Sequence, residues 1–220
     1  MDIKNKSQFI EYFLKGIKKP NQLKIGVEHE RFLFEGQNKK RISYITLKKL
    51  FENLKQNGWE PLFEKENIIG MKRDNQQITT EPGLQCELSG APLDNIHQVC
   101  AESSKFLKEI EAASIGLDIN TVSIGFDPFN NLSDIPKSPK QRYKIMTSEM
   151  PKGGSQSLEM MYRTCGIQIN YDYTSEINFE RIFRLGNYLT PLTIALYSNS
   201  PFESGNPVGY FSYRNKIWQN

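Results

Sequence analysis

The sequence has little of the material from which most catalytic and metal sites are built. Its two histidines, His29 and His97, leave scant means for a histidine metal site or a Ser-His-Asp triad. The three cysteines (Cys86, Cys100, Cys165) are an odd number at wide spacing with no C-x-x-C. That argues against a disulfide framework and against a structural zinc site. No apolar run approaches the roughly 18–20 residues of a membrane span. The opening Met1-Asp2-Ile3-Lys4-Asn5-Lys6 leads into an amphipathic pattern, not the apolar stretch of a signal peptide. No membrane partner is expected, and the cytoplasm is the expected location. The net charge of +3 is small, and lysines are mixed with acids, with no basic stripe interleaved with aromatics. Nucleic acid is therefore not an expected partner. What is present is 220 residues, 38% hydrophobic and 24% charged, enough to bury a core.

The stretch Ile25-Gly26-Val27-Glu28-His29-Glu30-Arg31-Phe32-Leu33-Phe34 reads as a β-strand, because β-branched and aromatic residues crowd a short run that ends at Gly36. Side chains alternate along a strand, so Glu28 and Glu30 share a face and His29 points the other way, as a packed or surface side chain. Two carboxylates held that close repel unless one is protonated or a cation lies between them. Paired hard oxygen ligands on a rigid strand suit Mg²⁺. Taken alone, E-x-E is more often the pattern of a solvated edge strand.

Around that strand the chain reads as alternating helices and hairpins. Residues 7–18 form an amphipathic helix capped by Ser7, with Phe9, Ile10, Phe13, Leu14 and Ile17 on one face. A second helix covers 44–57, with Ile45, Leu47, Leu50, Phe51 and Leu54 inward, and stops at Gly58. Strands are expected at 59–64, 67–73 and 77–80. Pro82-Gly83 is a turn that leaves Glu81 at the end of one strand and Glu87 within the next, with Gln85 on the face of Glu87 and Cys86 in the core. A long helix over 93–116 buries Ile96, Val99, Cys100, Phe106, Leu107 and Ile110, with Asp94 in its first turn. A buried strand at 121–126, a loop at 127–140, a short helix at 141–149 and a flexible link at 151–155 follow. Gly153-Gly154-Ser155 lacks the lysine spacing of a phosphate loop. The run 163–173 is a strand with Ile167, Ile169 and Tyr171 on one face and Gln168, Asn170 and Asp172 on the other. Residues 177–197 are helical, broken or bent at Pro191. The pattern points to an α+β fold, a largely antiparallel sheet with helices packed on one face and the other face free for a site.

Several motifs occur in order: Ile25-Gly26-Val27-Glu28-His29-Glu30; Ile78-Thr79-Thr80-Glu81-Pro82-Gly83; Glu87-Leu88-Ser89-Gly90-Ala91-Pro92; Met160-Met161-Tyr162-Arg163-Thr164-Cys165-Gly166-Ile167-Gln168-Ile169-Asn170; and Asn199-Ser200-Pro201-Phe202 through Ser212-Tyr213-Arg214. Together they resemble glutamate–cysteine ligases of the plant and proteobacterial type, over residue 25 to the last. The resemblance implies ATP-dependent joining of the glutamate γ-carboxyl to the cysteine amine through γ-glutamyl phosphate, the first step towards glutathione. It also implies Mg²⁺, with ATP as co-substrate, and a saddle-like sheet of the glutamine-synthetase kind whose concave face carries the site. Glu28, Glu30 and Glu87 fall on metal-ligand positions, with Glu81 and Gln168 beside them. Gln168 and Asn170 are assigned to cofactor contact, and Arg163 and Arg214 to a substrate carboxylate or phosphate. Relatives of this kind continue past the final motif, so residues 1–220 are expected to be the N-terminal part of one catalytic domain with an incomplete sheet. Gly154-Ser155-Gln156 and Phe129-Asn130 depart from the family's loops. A non-catalytic fragment, or a related carboxylate–amine ligase with another acceptor, remains an alternative; oligomeric state is open.

Overall fold

The computed structural model describes residues 3–219. Its centre is β1 (Ile25–Glu35), an eleven-residue strand with neighbours along both edges. Glu28 pairs with Ser89 of β6 (Cys86–Ser89) on one side and with Gln168 of β8 (Ile167–Tyr171) on the other. Further along, Phe34 pairs with both β2 (Lys40–Arg41) and β7 (Ile119–Val122). From β6 the sheet continues through β5 (Gln76–Thr80) and β4 (Asn67–Arg73) to β3 (Glu60–Glu64). Every pairing is antiparallel, and the sheet is open, as expected of an α+β chain.

Alternation sorts this sheet into two faces. The apolar face carries Leu33, Met71, Ile78, Cys86 and Leu88, covered by α2 (Tyr44–Leu54) and α3 (Ile96–Ser114). Helix α2 contributes Leu47, Leu50, Phe51 and Leu54, and α3 contributes Phe106, Ile110 and Ala113. Each fully buried leucine, isoleucine, phenylalanine or methionine among them is worth about 1.5–3 kcal/mol of transfer free energy. A second, smaller cluster joins Ile135 to α4 (Gln141–Glu149) and α5 (Ser157–Arg163) through Tyr143, Met161 and Tyr162.

Several expectations shift. Helix α1 (Lys6–Leu14) is capped by Asn5, whose side chain accepts from the Gln8 N–H, and buries nothing: its apolar face is exposed. Helix α3 starts at Ile96 because Asn95 takes the cap, accepting from the N–H groups of His97 and Gln98. Asp94 therefore precedes the helix and pairs with Lys24 at 2.5 Å. The buried stripe of α3 runs through Val99, Phe106, Ile110 and Ala113. Cys100, a step of about 100° round from Val99, is exposed, as are Ile96 and, on α2, Ile45. Arg163 ends α5 and is not in a strand: it pairs with Glu159 one turn earlier at 2.9 Å. Residues 150–152 form a short 3₁₀ turn, and α6 (Glu176–Leu196) runs through Pro191 unbroken. Two short strands, β9 (Phe202–Glu203) and β10 (Asn206–Pro207), precede α7 (Tyr213–Trp218).

Candidate metal centre

The face of the sheet opposite α2 and α3 carries the charge. Glu30 pairs with Glu87, and Glu87 with Thr79, so their side chains emerge on one face. The chain then turns tightly after β5, which returns Glu81 to the same place. The turn closes with the Leu84 N–H on the Glu81 carbonyl (2.9 Å) and the Glu81 N–H on the Gln85 carbonyl (2.9 Å). Glycine is required at position 83 because a Cβ there would sit 2.6 Å from the Tyr162 carbonyl oxygen. The Gly83 carbonyl accepts from the Arg41 guanidinium, which also donates to the Tyr162 carbonyl at 3.3 Å and pairs with Asp127 at 3.2 Å, both partners fully buried. Gln85 braces the turn from inside: its Oε1 accepts from the Gly83 N–H, and its Nε2 donates to the Thr164 carbonyl at 3.0 Å.

The result is a triad. One carboxylate oxygen from each of Glu30, Glu81 and Glu87 lies within 4.8 Å of the others. Each is held by its own donors. Glu30 accepts from the Gly166 N–H at 2.5 Å, Glu81 from the Tyr143 hydroxyl at 3.0 Å, and Glu87 from Thr79 Oγ1 at 3.1 Å and Ser89 Oγ at 2.8 Å. Arg142 lies 3.7 Å from Glu81. Burial, with the negative charges of Glu81 and Glu87 added, pushes the Glu30 carboxyl up to about 7, against the pull of the Gly166 N–H and Arg214. Burial and Glu87 likewise push Glu81 above the usual carboxylate range. Three mutually repelling oxygen donors, with no sulfur or imidazole among them, fit a hard divalent cation such as Mg²⁺.

The other candidates divide. Glu28 stands beside the triad rather than in it, and accepts from Asn170 Nδ2 at 3.0 Å. Gln168 is the cross-strand partner of Glu28, so Gln168 and Asn170 share the carboxylate face but lie exposed on β8. Arg214 lies on the Glu30 side: its guanidinium contributes to the field at Glu30, and a Cβ on Gly166 would meet it at 2.9 Å. Arg163, the other anion-binding candidate, has its guanidinium engaged by protein partners. It is buried, pairs with Glu159 and Glu203 (3.2 Å), and donates to the Asp127 carbonyl at 3.1 Å. His29 faces away, as alternation requires, with Nε2 2.9 Å from Ser103 Oγ on α3. Nothing local in the sequence marks Tyr143, Lys140 or Arg41, because the groups they face lie tens of residues away along the chain.

The sequence profile of glutamate-cysteine ligase family 2 (GCS2) matches residues 24–220. Over 97% of its length the chain is 43% identical to the chloroplastic glutamate–cysteine ligase A of Oryza sativa subsp. japonica, covering 44% of that enzyme. The chloroplastic ligase of Nicotiana tabacum is 43% identical over the same share of the chain, with 41% of the enzyme covered. For Arabidopsis thaliana the identity is 42%, again with 41% of the enzyme covered. The chain thus spans under half the length of these curated relatives. Their names also overturn the expected cytoplasmic location, since all three are chloroplastic enzymes. No helix among the described residues is long and apolar enough to cross a membrane. With the profile matched from the residue before β1 onward, this chain belongs to glutamate–cysteine ligase family 2.

Proposed function

We propose that this chain carries the divalent-metal centre of an ATP-dependent glutamate–cysteine ligase, which joins the glutamate γ-carboxyl to the cysteine amine at the start of glutathione synthesis. The observation that carries the reading is the triad of Glu30, Glu81 and Glu87, gathered within 4.8 Å on one sheet face in a member of this family. Mg²⁺ bound there would cancel charge on the phosphates, the main requirement of phosphoryl transfer. The chain's own residues do the rest of the positioning. Tyr143 and Arg142 fix Glu81, Thr79 and Ser89 fix Glu87, and the Gly166 N–H fixes Glu30. Arg214 puts positive charge on the Glu30 side, where an incoming carboxylate or phosphate would meet a guanidinium fork. Gln168 and Asn170 extend the polar face past Glu28.

No side chain of the protein is needed as a nucleophile. The glutamate γ-carboxylate takes the terminal phosphoryl group of ATP and releases ADP. The amine of cysteine then attacks the acyl phosphate, and inorganic phosphate leaves as the amide forms. Cys86 and Cys165 are unsuited to compete, because burial pushes the Cys86 thiol up to about 12 and raises Cys165 as well.

The test supplies the 220-residue chain with glutamate, cysteine, ATP and Mg²⁺ and measures γ-glutamylcysteine. Product that depends on cysteine supports the ligase reading. Because the chain spans under half of its relatives, a second reading is a metal-binding portion without turnover: Mg²⁺ binding with no product would favour it.

A further inference from the structure

Lys140 is the last residue before α4 and is only 7% exposed. Its stem is packed, but Nζ is not among the side-chain nitrogens closed off from solvent without a partner, so the ammonium keeps a face open, as long cationic side chains do. Among the described residues, Lys140 Nζ makes no hydrogen bond and no ion pair within 4.0 Å. Nζ lies 5.4 Å from the centroid of the Tyr143 ring. That ring carries the hydroxyl that donates to Glu81. The charges facing Lys140 are Glu81, Glu87 and Glu64, with Arg142 as the neighbouring like charge. The segment is pinned to the Glu81 turn: the Ser138 N–H donates to the Pro82 carbonyl at 2.8 Å, and Ser138 Oγ lies 3.0 Å from Thr80 Oγ1. A cation with unspent donors and a face open to a ligand is therefore held beside the triad without pairing to it.

We infer that Lys140 binds phosphoryl oxygens of a phosphate ligand held at the Glu30–Glu81–Glu87 centre. The inference rests on the reading of that triad as a divalent-metal site. A cation near a metal centre offsets the mutual repulsion of the empty carboxylates but repels the metal itself, and it gains a direct partner when an anion joins the two. A polyphosphate is such an anion, with oxygens for the metal and others left over that need a further point charge, which lysine supplies. The exposed Arg142, whose guanidinium lies 4.6 Å from the centroid of the same ring, adds positive charge at the mouth.

The experiment titrates Mg²⁺ alone, and then inorganic tripolyphosphate at fixed Mg²⁺, into the 220-residue chain and its Lys140→Met, Lys140→Gln and Lys140→Arg variants. Tripolyphosphate binding is expected to weaken tenfold or more in the Met and Gln variants and to return in large part with Arg. Mg²⁺ alone is expected to bind as tightly as in the wild type or tighter, since a nearby like charge is gone. Lysine as a mere packing element would move the second readout the opposite way. Tripolyphosphate affinities within twofold of wild type in whichever neutral variant folds would overturn the inference, as would weakened binding of Mg²⁺ alone. Absent Mg²⁺ binding by the wild type would remove the metal reading itself. Lys140-dependent tripolyphosphate binding without γ-glutamylcysteine formation would uphold the inference while denying turnover to this chain.

Discussion

Glu30 shows how one residue ties the site to solution conditions. Its carboxyl rises from the usual 4.5 to about 7 in the folded chain, first because it is buried and then because Glu81 and Glu87 repel it. Between those values the folded state holds a proton that the unfolded state has lost. The stabilisation is complete below about pH 4.5 and is lost as pH rises through 7; at about 1.4 kcal/mol per pH unit it amounts to roughly 3 kcal/mol. The metal-free chain should therefore unfold more easily at pH 8 than at pH 5, and Glu30→Gln should flatten that slope in urea titrations across pH. A metal competes with the proton for the same oxygens. Mg²⁺ affinity is accordingly expected to climb with pH up to about 7 and then level off, with proton release visible by calorimetry in buffers of different ionisation enthalpy. Affinity independent of pH from 5 to 8 would remove Glu30 from the ligand set. The triad also ranks the carboxylates: Glu30→Gln and Glu87→Gln should each cost tenfold or more in Mg²⁺ affinity, and Glu28→Gln less, since Glu28 stands outside the triad and is bonded to Asn170.

At the scale of elements, the site depends on one turn and on what holds it from behind. Arg41 sits on β2, fully buried, with its guanidinium on Asp127, on the Tyr162 and Gly83 carbonyls, and 4.5 Å from the centroid of the Phe32 ring. Removing one partner of a buried ion pair leaves an uncompensated charge, at a cost of about 3–5 kcal/mol. Arg41→Met should lower unfolding stability by that amount, and lower Mg²⁺ affinity as well, because the Glu81 turn loses its anchor at Gly83. Leu50→Ala on α2 should cost about 2–5 kcal/mol yet leave the metal affinity of the folded fraction unchanged. A Mg²⁺ titration of both variants separates the two elements. Such dependence also explains what the sequence makes legible. The period of two placed Glu28 and Glu30 on one face of β1 and His29 on the other without any knowledge of partners. The helical period placed Leu47, Leu50, Phe51 and Leu54 correctly in α2. Arg163 defeats the period of two, because the alternation of residues 167–172 does not reach back into a segment where an i,i+4 pair with Glu159 supports a helical turn. Lys140 and Tyr143 stayed silent because their meaning depends on Glu81, about sixty residues away. No local pattern encodes that distance.

Over the whole molecule, apolar side chains are distributed unevenly between the sheet and the outlying helices. Helix α6 is 21 residues long and buries none of them. Ile177, Phe183, Leu185, Leu192 and Leu196 are all exposed, as is Tyr188 at 78%. Helix α1 likewise shows Phe9, Ile10 and Phe13 to solvent, and β8 lies at the limit of the sheet with Ile167, Ile169 and Tyr171 exposed. Apolar surface of this kind marks association surfaces, and the outer edge of β8, left unpaired among the described residues, offers backbone donors and acceptors as well. The 220-residue chain by itself is therefore expected to self-associate as its concentration rises and to bind an apolar dye in its folded state. Replacing Phe183 and Leu192 together by serine should shift sedimentation towards the monomer. Because neither side chain is buried in the folded chain, the same change should alter unfolding stability by no more than about 0.5 kcal/mol per site, the range of ordinary surface substitutions. A loss of several kcal/mol would mean that α6 packs against the sheet in solution. An unchanged sedimentation profile would place the association at the open edge of β8 instead of on α6.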